Sequence, residues 1–233
     1  MRGGRHSRTG RPPVSLPPKG LFITFEGSEG CGKSTQVQRL VERLRDWGRT
    51  VRLVREPGGT SIGEEIRHTL KHSKANTAMT WEAELLLMNA SRAQLVREII
   101  RPALASGEIV VCDRFYDSTT AYQGYGRELD LETVRRIIDF AVGETRPDLT
   151  VLLRVPPEVS AERLRSRQST LPFVWDRFEE ADRAFFDRVA RGYEAIAAAE
   201  PERVRVFDGT GTEAQVQSAI WQVVAPLVAL GAA

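Results

Sequence analysis

Short apolar runs recur along this chain, separated by longer stretches in which apolar positions return every three or four residues. Five runs read as strands: Leu21–Glu26, Val51–Arg55, Ile109–Asp113, 149–155 and 204–207. Several are almost wholly apolar, the pattern of parallel strands buried on both faces. The helical period predicts helices over 34–47, 62–72, 81–104, 131–142, 157–167, 181–199 and 213–228. Gly48, Gly107 and Gly143 stand just past three of these ends, where a left-handed residue closes a helix. Strand and helix alternate through 21–233 with no internal repeat and no linker. The expectation is therefore one α/β domain, doubly wound on a parallel sheet, with ligands at the carboxyl ends of the strands.

At 233 residues, 41% hydrophobic and 27% charged, the chain has the length and apolar content for one substantial core, which excludes a wholly disordered protein. The net charge of +2 hides an asymmetry. Residues 1–20 hold Arg2, Arg5, Arg8, Arg11 and Lys19 and no acid, so the rest of the chain is net acidic. The basicity thus belongs to a tail and not to a nucleic-acid-binding face, and no nucleic-acid partner is expected. Gly and Pro crowd that tail, which reads as disordered in preference to an amphipathic transit peptide. No apolar run approaches about 20 residues and no signal-peptide core is present. A soluble, cytoplasmic protein without membrane contact is expected, with Cys31 and Cys112 as reduced thiols.

Gly27-Ser28-Glu29-Gly30-Cys31-Gly32-Lys33-Ser34 fits G-x-x-x-x-G-K-[ST], between an expected strand and an expected helix. In that context the glycines let backbone N–H groups wrap phosphates, and the helix N-terminus adds its positive end. Lys33 reaches the outer phosphates and Ser34 ligates Mg²⁺. Asp113, closing an apolar strand, supplies a second oxygen for the metal or its water shell. Arg114 directly after it places a cation where a transferring phosphoryl group gathers charge.

A P-loop serves regulatory GTPases and other binding modules as well as small-molecule kinases. The guanine-reading N-K-x-D segment is absent. A kinase needs further cations for a second anionic substrate and a lid against water. Arg55 and Arg67 flank the turn Glu56-Pro57-Gly58-Gly59-Thr60, and Arg92 lies on the long helix. Arg163, Arg165 and Arg167 crowd the end of another helix, beside a loop long enough to cover a ligand. Either these three form a lid or they form a solvated basic face. A P-loop binding module that acts through the tail remains the alternative class.

These motifs, in this order, resemble those of the thymidylate kinases over nearly all of residues 20–220. They are Phe25-Glu26-Gly27 through Ser34-Thr35, Arg55-Glu56-Pro57-Gly58-Gly59-Thr60, Glu84-Leu85-Leu86-Leu87 through Ser91-Arg92-Ala93-Gln94, Asp113-Arg114-Phe115 through Ala121-Tyr122-Gln123-Gly124, and Asp176-Arg177-Phe178-Glu179. The resemblance implies a P-loop nucleoside monophosphate kinase fold: five parallel strands, helices on both faces and a lid at about 163–177. It also implies ATP and Mg²⁺ as the donor system, dTMP as acceptor and a homodimer. The donor would sit on Gly27, Ser28, Glu29, Gly30, Cys31, Gly32, Lys33, Ser34 and Thr35, with metal at Ser34 and Asp113. Arg114 would hold the acceptor phosphate and Arg92 the pyrimidine O4. Thr119 and Gln123 would read the base, Tyr122 would exclude a ribose 2′-hydroxyl, and Arg67, Pro57 and Glu29 would complete the acceptor pocket. Glu29 beside a basic lid resembles the bacterial-type arrangement, in which the lid delivers the catalytic arginine, with Arg167 the first choice and Arg163 the second. Two departures stand out. Met88 replaces a stacking phenylalanine, and serves either to cover the base or as helix core. The lid also carries an insertion at 168–175.

Overall fold

The computed structural model describes residues 20–168 and 182–230. Five strands, β1 (Leu21–Glu26), β2 (Val51–Arg55), β3 (Ile109–Asp113), β4 (Leu149–Arg154) and β5 (Val204–Asp208), form one sheet in the order β2-β3-β1-β4-β5, and every pairing is parallel. Side chains alternate between the faces as strand geometry requires. Ile23, Phe25, Val111, Val151 and Leu153 pack against α1 (Lys33–Asp46) and α9 (Glu213–Leu230). Phe22, Val110 and Cys112 face α3 (Trp81–Leu95) and α6 (Leu131–Val142). Leu152 and Val204 lie against α8 (Arg183–Ala199). With both faces covered, the continuous apolar runs are accounted for.

The expected strands are all present; β4 ends one residue early, at Arg154, and β5 runs one further, to Asp208. The helix expected over 81–104 is present as one continuous helical run, but its hydrogen-bond period changes within it. It divides into α3, a π-helical segment Val96–Ile100, and α4 (Arg101–Ala105). Pro102 lacks the N–H that an unbroken α-helix would need there, and the Arg101 N–H instead bonds Val96 O, five residues back. A second π-helical segment, Thr120–Gly126, follows the short α5 (Tyr116–Thr119), a region for which no helix was expected because it has no periodic apolar stripe. The helix expected from 181 begins at Arg183, with Asp182 as its cap. The tail through residue 19 and the lid segment 169–181, including Asp176 to Glu179, lie outside the described residues.

Five helices open on a side-chain cap: Thr60 for α2 (Ser61–Lys71), Thr80 for α3, Asp130 for α6, Asp182 for α8 and Thr212 for α9. α1 differs. Its N-cap is Gly32, with no side-chain cap and no acid in the first turn, so its leading N–H groups face outward at the carboxyl edge of the sheet. The registers Phe25↔Asp113 and Arg55↔Asp113 bring the loops after β1, β2 and β3 together at that edge.

Candidate active site

The loop between β1 and α1 is built for close approach. Gly27 has φ 137, and a Cβ there would come within 2.3 Å of Leu153 O. Lys33 Nζ donates to Gly27 O at 3.0 Å and Ser28 O at 2.8 Å, folding back over the loop it follows. Ser34 Oγ donates to Asp113 Oδ2 at 3.3 Å, so the two expected metal ligands are side by side. Two adjoining oxygens suit Mg²⁺, which keeps most of its shell as water and phosphate. An uncapped helix start, a lysine and a glycine-walled loop suit a polyphosphate.

Beside this cradle lies a cavity of about 220 Å³ lined by Cys31, Gly32, Thr35, Gln36, Arg163 and Gly209, among others. Arg163 donates to Gly209 O at 2.9 Å and Cys31 O at 3.5 Å, bridging α7 (Pro157–Gln168), the cradle and the loop after β5. Gln36 Oε1 is buried and has no partner among the described residues. The sequence reading missed this cavity, because its walls come from three separate segments, 31–36, Arg163 and 209–216.

Arg114 is a non-glycine residue at φ 70, a strained conformation of the sort that collects at functional sites. Its backbone N–H is tied to Phe25 O at 2.9 Å. Nη1 donates to Gly27 O, Ser118 Oγ and Tyr193 Oη at 3.1, 3.0 and 3.2 Å; Nη2 donates to Glu29 Oε1 at 2.6 Å and Tyr122 Oη at 3.3 Å. Gly27 O therefore accepts from both Lys33 and Arg114. Burial pushes the Glu29 carboxyl up, but Arg114 and then Lys33 outweigh it and hold the group at about 2.

That shift has a consequence for stability. The folded chain binds the Glu29 proton more weakly than the unfolded one, so the contribution is present above about pH 4.5 and lost as pH falls through about 2. It is worth at most about 3 kcal/mol, less for the 22% of the side chain that solvent reaches. The difference in unfolding free energy between the native chain and Glu29→Gln should shrink by about half or more between pH 6 and pH 3 in urea titrations. A difference independent of pH would contradict the ion pair's role.

Arg92, 2% exposed, is clamped from several sides. Nε donates to Glu56 Oε2 at 2.8 Å, Nη1 to Asn89 Oδ1 at 2.8 Å, and Nη2 to Phe115 O at 3.2 Å. Burial pushes the Glu56 carboxyl up to about 7, only partly offset by Arg92, and its Oε1 has no partner among the described residues. Gln123 donates to the fully buried Glu84 at 2.8 Å, and Arg127 bonds the same carboxylate. Thr119, the last residue of α5, is buried. Arg67 donates to Pro57 O at 2.9 Å. Met88 is half-buried against the cluster of Tyr122 and Phe185.

The structure thus brings together Lys33, Ser34, Asp113, Glu29, Arg114 and Tyr122. Arg163 sits on the cavity side of the cradle, and the side chain of Arg167 lies outside the described residues. Glu26, Glu56, Glu84, Asn89, Ser118 and Tyr193 escaped the sequence reading as site residues. Glu26 had a local signal, a carboxylate ending an apolar strand just before the cradle; Glu56, Glu84, Asn89 and Ser118 lay inside the motifs without an assigned role, and Tyr193 lay outside them all.

Fold and cradle define a P-loop nucleoside monophosphate kinase. The family model for thymidylate kinase matches residues 25–220. A thymidylate kinase of Synechococcus sp. (strain JA-2-3B'a(2-13)) is 46% identical over 91% of this chain and 98% of its own length. One from Geobacter sulfurreducens is 48% identical over 84% of this chain and 92% of its own. The crystal structure of thymidylate kinase from Ehrlichia chaffeensis superposes with a TM-score of 0.71 at 33% identity, covering 89% of this chain and 99% of that one. This chain belongs to the thymidylate kinase family. Among the described residues no helix is long and apolar enough to cross a membrane.

Proposed function

We propose that the chain carries out its family's reaction, ATP-dependent phosphorylation of dTMP to dTDP, by direct in-line transfer between two phosphates gripped at one point. The observation that carries this is the shared carbonyl. Lys33 and Arg114, the cations suited to donor and acceptor phosphate, both bond Gly27 O. An acceptor oxygen bonds to the γ-phosphorus as the bridge to ADP breaks, and both cations balance the charge that spreads over the transferring group.

The donor's phosphates lie on residues 27–35 and its base in the adjoining cavity, where Gln36 Oε1 awaits a donor. Ser34 and Asp113 would hold Mg²⁺, which neutralises phosphate charge when bound. On the acceptor side Arg92 Nη1 keeps one N–H uncommitted among the described residues, suited to a pyrimidine carbonyl and unsuited to the amino group of cytosine. Thr119 and Gln123 flank the base, Pro57 and Arg67 line the pocket, and Met88 covers the ring edge. Tyr122, its hydroxyl occupied by Arg114, fills the space a 2′-hydroxyl would need. Since Arg163 serves the cavity side, Arg167, one helical turn further on, is the lid arginine assigned to the reacting phosphate. We assign one kinase domain to 21–233 with its lid at about 163–177, a basic tail to 1–20, and a cytoplasmic homodimer as the working form. Ile62, Leu86 and Phe140, large apolar side chains exposed on α2, α3 and α6, favour a self-association face there.

A coupled ADP assay across dTMP, UMP and dCMP tests the reading. kcat/KM for dTMP is expected to exceed that for either other nucleotide by roughly 10²-fold or more, since each leaves a buried polar group unpaired or crowds Tyr122. Comparable values for UMP would reassign the chain to a general pyrimidine nucleotide kinase. ADP without dTDP would favour a binding module.

A further inference from the structure

Glu26 ends β1, immediately before the cradle, and is fully buried. Its carboxylate accepts four hydrogen bonds. Oε1 receives the N–H of Phe115 at 2.8 Å and of Ser118 at 3.2 Å; Oε2 receives the hydroxyls of Ser118 at 2.6 Å and Tyr193 at 3.0 Å. Those two hydroxyl oxygens are the ones that accept from Arg114 Nη1. Each hydroxyl owns one proton. The two hydroxyls also lie 3.0 Å from each other, where either could donate; in the arrangement that spends both protons on Glu26, both oxygens turn lone pairs toward the guanidinium, and the polarity of the array runs from Arg114 through the hydroxyls to the carboxylate. A neutral side chain at position 26 would turn a donor of its own toward groups that already donate, so only the carboxylate accepts all four bonds. Burial, and then Asp117, push the Glu26 carboxyl up overall; Arg114, Ser118 and the Phe115 amide offset that only in part. Full desolvation of a carboxylate is costly unless its bonds are complete, and here they are.

We propose that Glu26 is a positioning residue for phosphoryl transfer: through the Ser118 and Tyr193 hydroxyls it fixes the Arg114 guanidinium to the strand that carries the donor cradle. The inference rests on reading Arg114 as the acceptor-phosphate cation. It explains why a strained arginine at φ 70 keeps one orientation, and why a tyrosine 79 positions away in the sequence reaches the reaction centre. Donor and acceptor grips then share one rigid base, because Gly27, whose carbonyl binds Lys33, is the next residue after Glu26.

A double-mutant cycle tests it. Tyr193→Phe removes one hydroxyl from the array and keeps the ring that packs on Tyr122. kcat/KM for dTMP should fall about tenfold with KM for ATP unchanged, the loss of one hydrogen bond to a charged group. In an Arg114→Lys background, itself impaired, the same substitution should cost less than about twofold, because the group it positions is gone. Ser118→Ala should behave likewise, and Glu26→Gln should show the largest effect of the three. An impaired Arg114→Lys enzyme in which Tyr193→Phe still costs its full factor would overturn the positioning role and leave Arg114 in place. An unimpaired Arg114→Lys enzyme would overturn the reading of Arg114, and the inference with it. Since Glu26→Gln removes a buried charge and could fail to fold, the decision rests on Tyr193→Phe, assayed well below its own melting temperature, which the loss of one bond to Glu26 should lower only modestly.

Discussion

Lys33→Ala is expected to lower kcat on the order of 10³-fold or more while the chain stays folded. The ammonium is the one side-chain cation inside the cradle loop, donating to Gly27 O and Ser28 O. In the reaction those donors serve the outer phosphates of ATP, where a preorganised cation in a site shielded from water is worth several kcal/mol. Its structural share is small by comparison. Gly27 O retains Arg114 as a donor, so the truncation strands little beyond Ser28 O and should cost about 1 kcal/mol of stability. Turnover by the coupled assay and melting by calorimetry separate the two effects. Near-normal turnover with a normal melting point would remove Lys33 from the chemistry.

Arg114→Ala is expected to reduce kcat/KM for dTMP by about 10³-fold or more, with KM for ATP little altered, as the acceptor phosphate loses its cation. Unlike Lys33, Arg114 is also a structural keystone. It neutralises Glu29, and removing it leaves a carboxylate that is mostly out of water without its closest positive partner. Breaking such a pair from one side costs about 3 kcal/mol. The charge penalty can be relieved separately. Arg114→Ala with Glu29→Gln should recover much of the lost stability and none of the lost activity. Should the double variant regain turnover, Arg114 would be acting on the fold and not on the substrate. Recovery of neither would place the damage in the Ser118 and Tyr193 network, whose acceptors also lose their donor.

The ledger between chain and fold divides by distance along the sequence. Periodicity and contiguous motifs disclosed the five parallel strands, the glycine-capped helices, the cradle from Gly27 to Ser34 and the Asp113-Arg114 pair, because each is encoded in neighbouring residues whose spacing directly sets backbone geometry. The order of strands in the sheet, and hence the meeting of Ser34 with Asp113, depends on which runs pair, and no local pattern carries that. The π-helical segment at Thr120–Gly126, which carries Tyr122 and Gln123, leaves no stripe to read, since its geometry follows from packing against α8. The same holds for the clamp on Arg92, the donor-side cavity and the Glu26 network. Each joins side chains tens of positions apart, and burial alone gives their carboxylates and hydroxyls their orientation. The order of residues sets which chemical groups the protein owns and the local shape of the loop that binds phosphate. Tertiary structure decided where those groups point and how strongly they act, because the direction of a hydrogen bond and the cost of a buried charge exist only once the surrounding elements have closed over them.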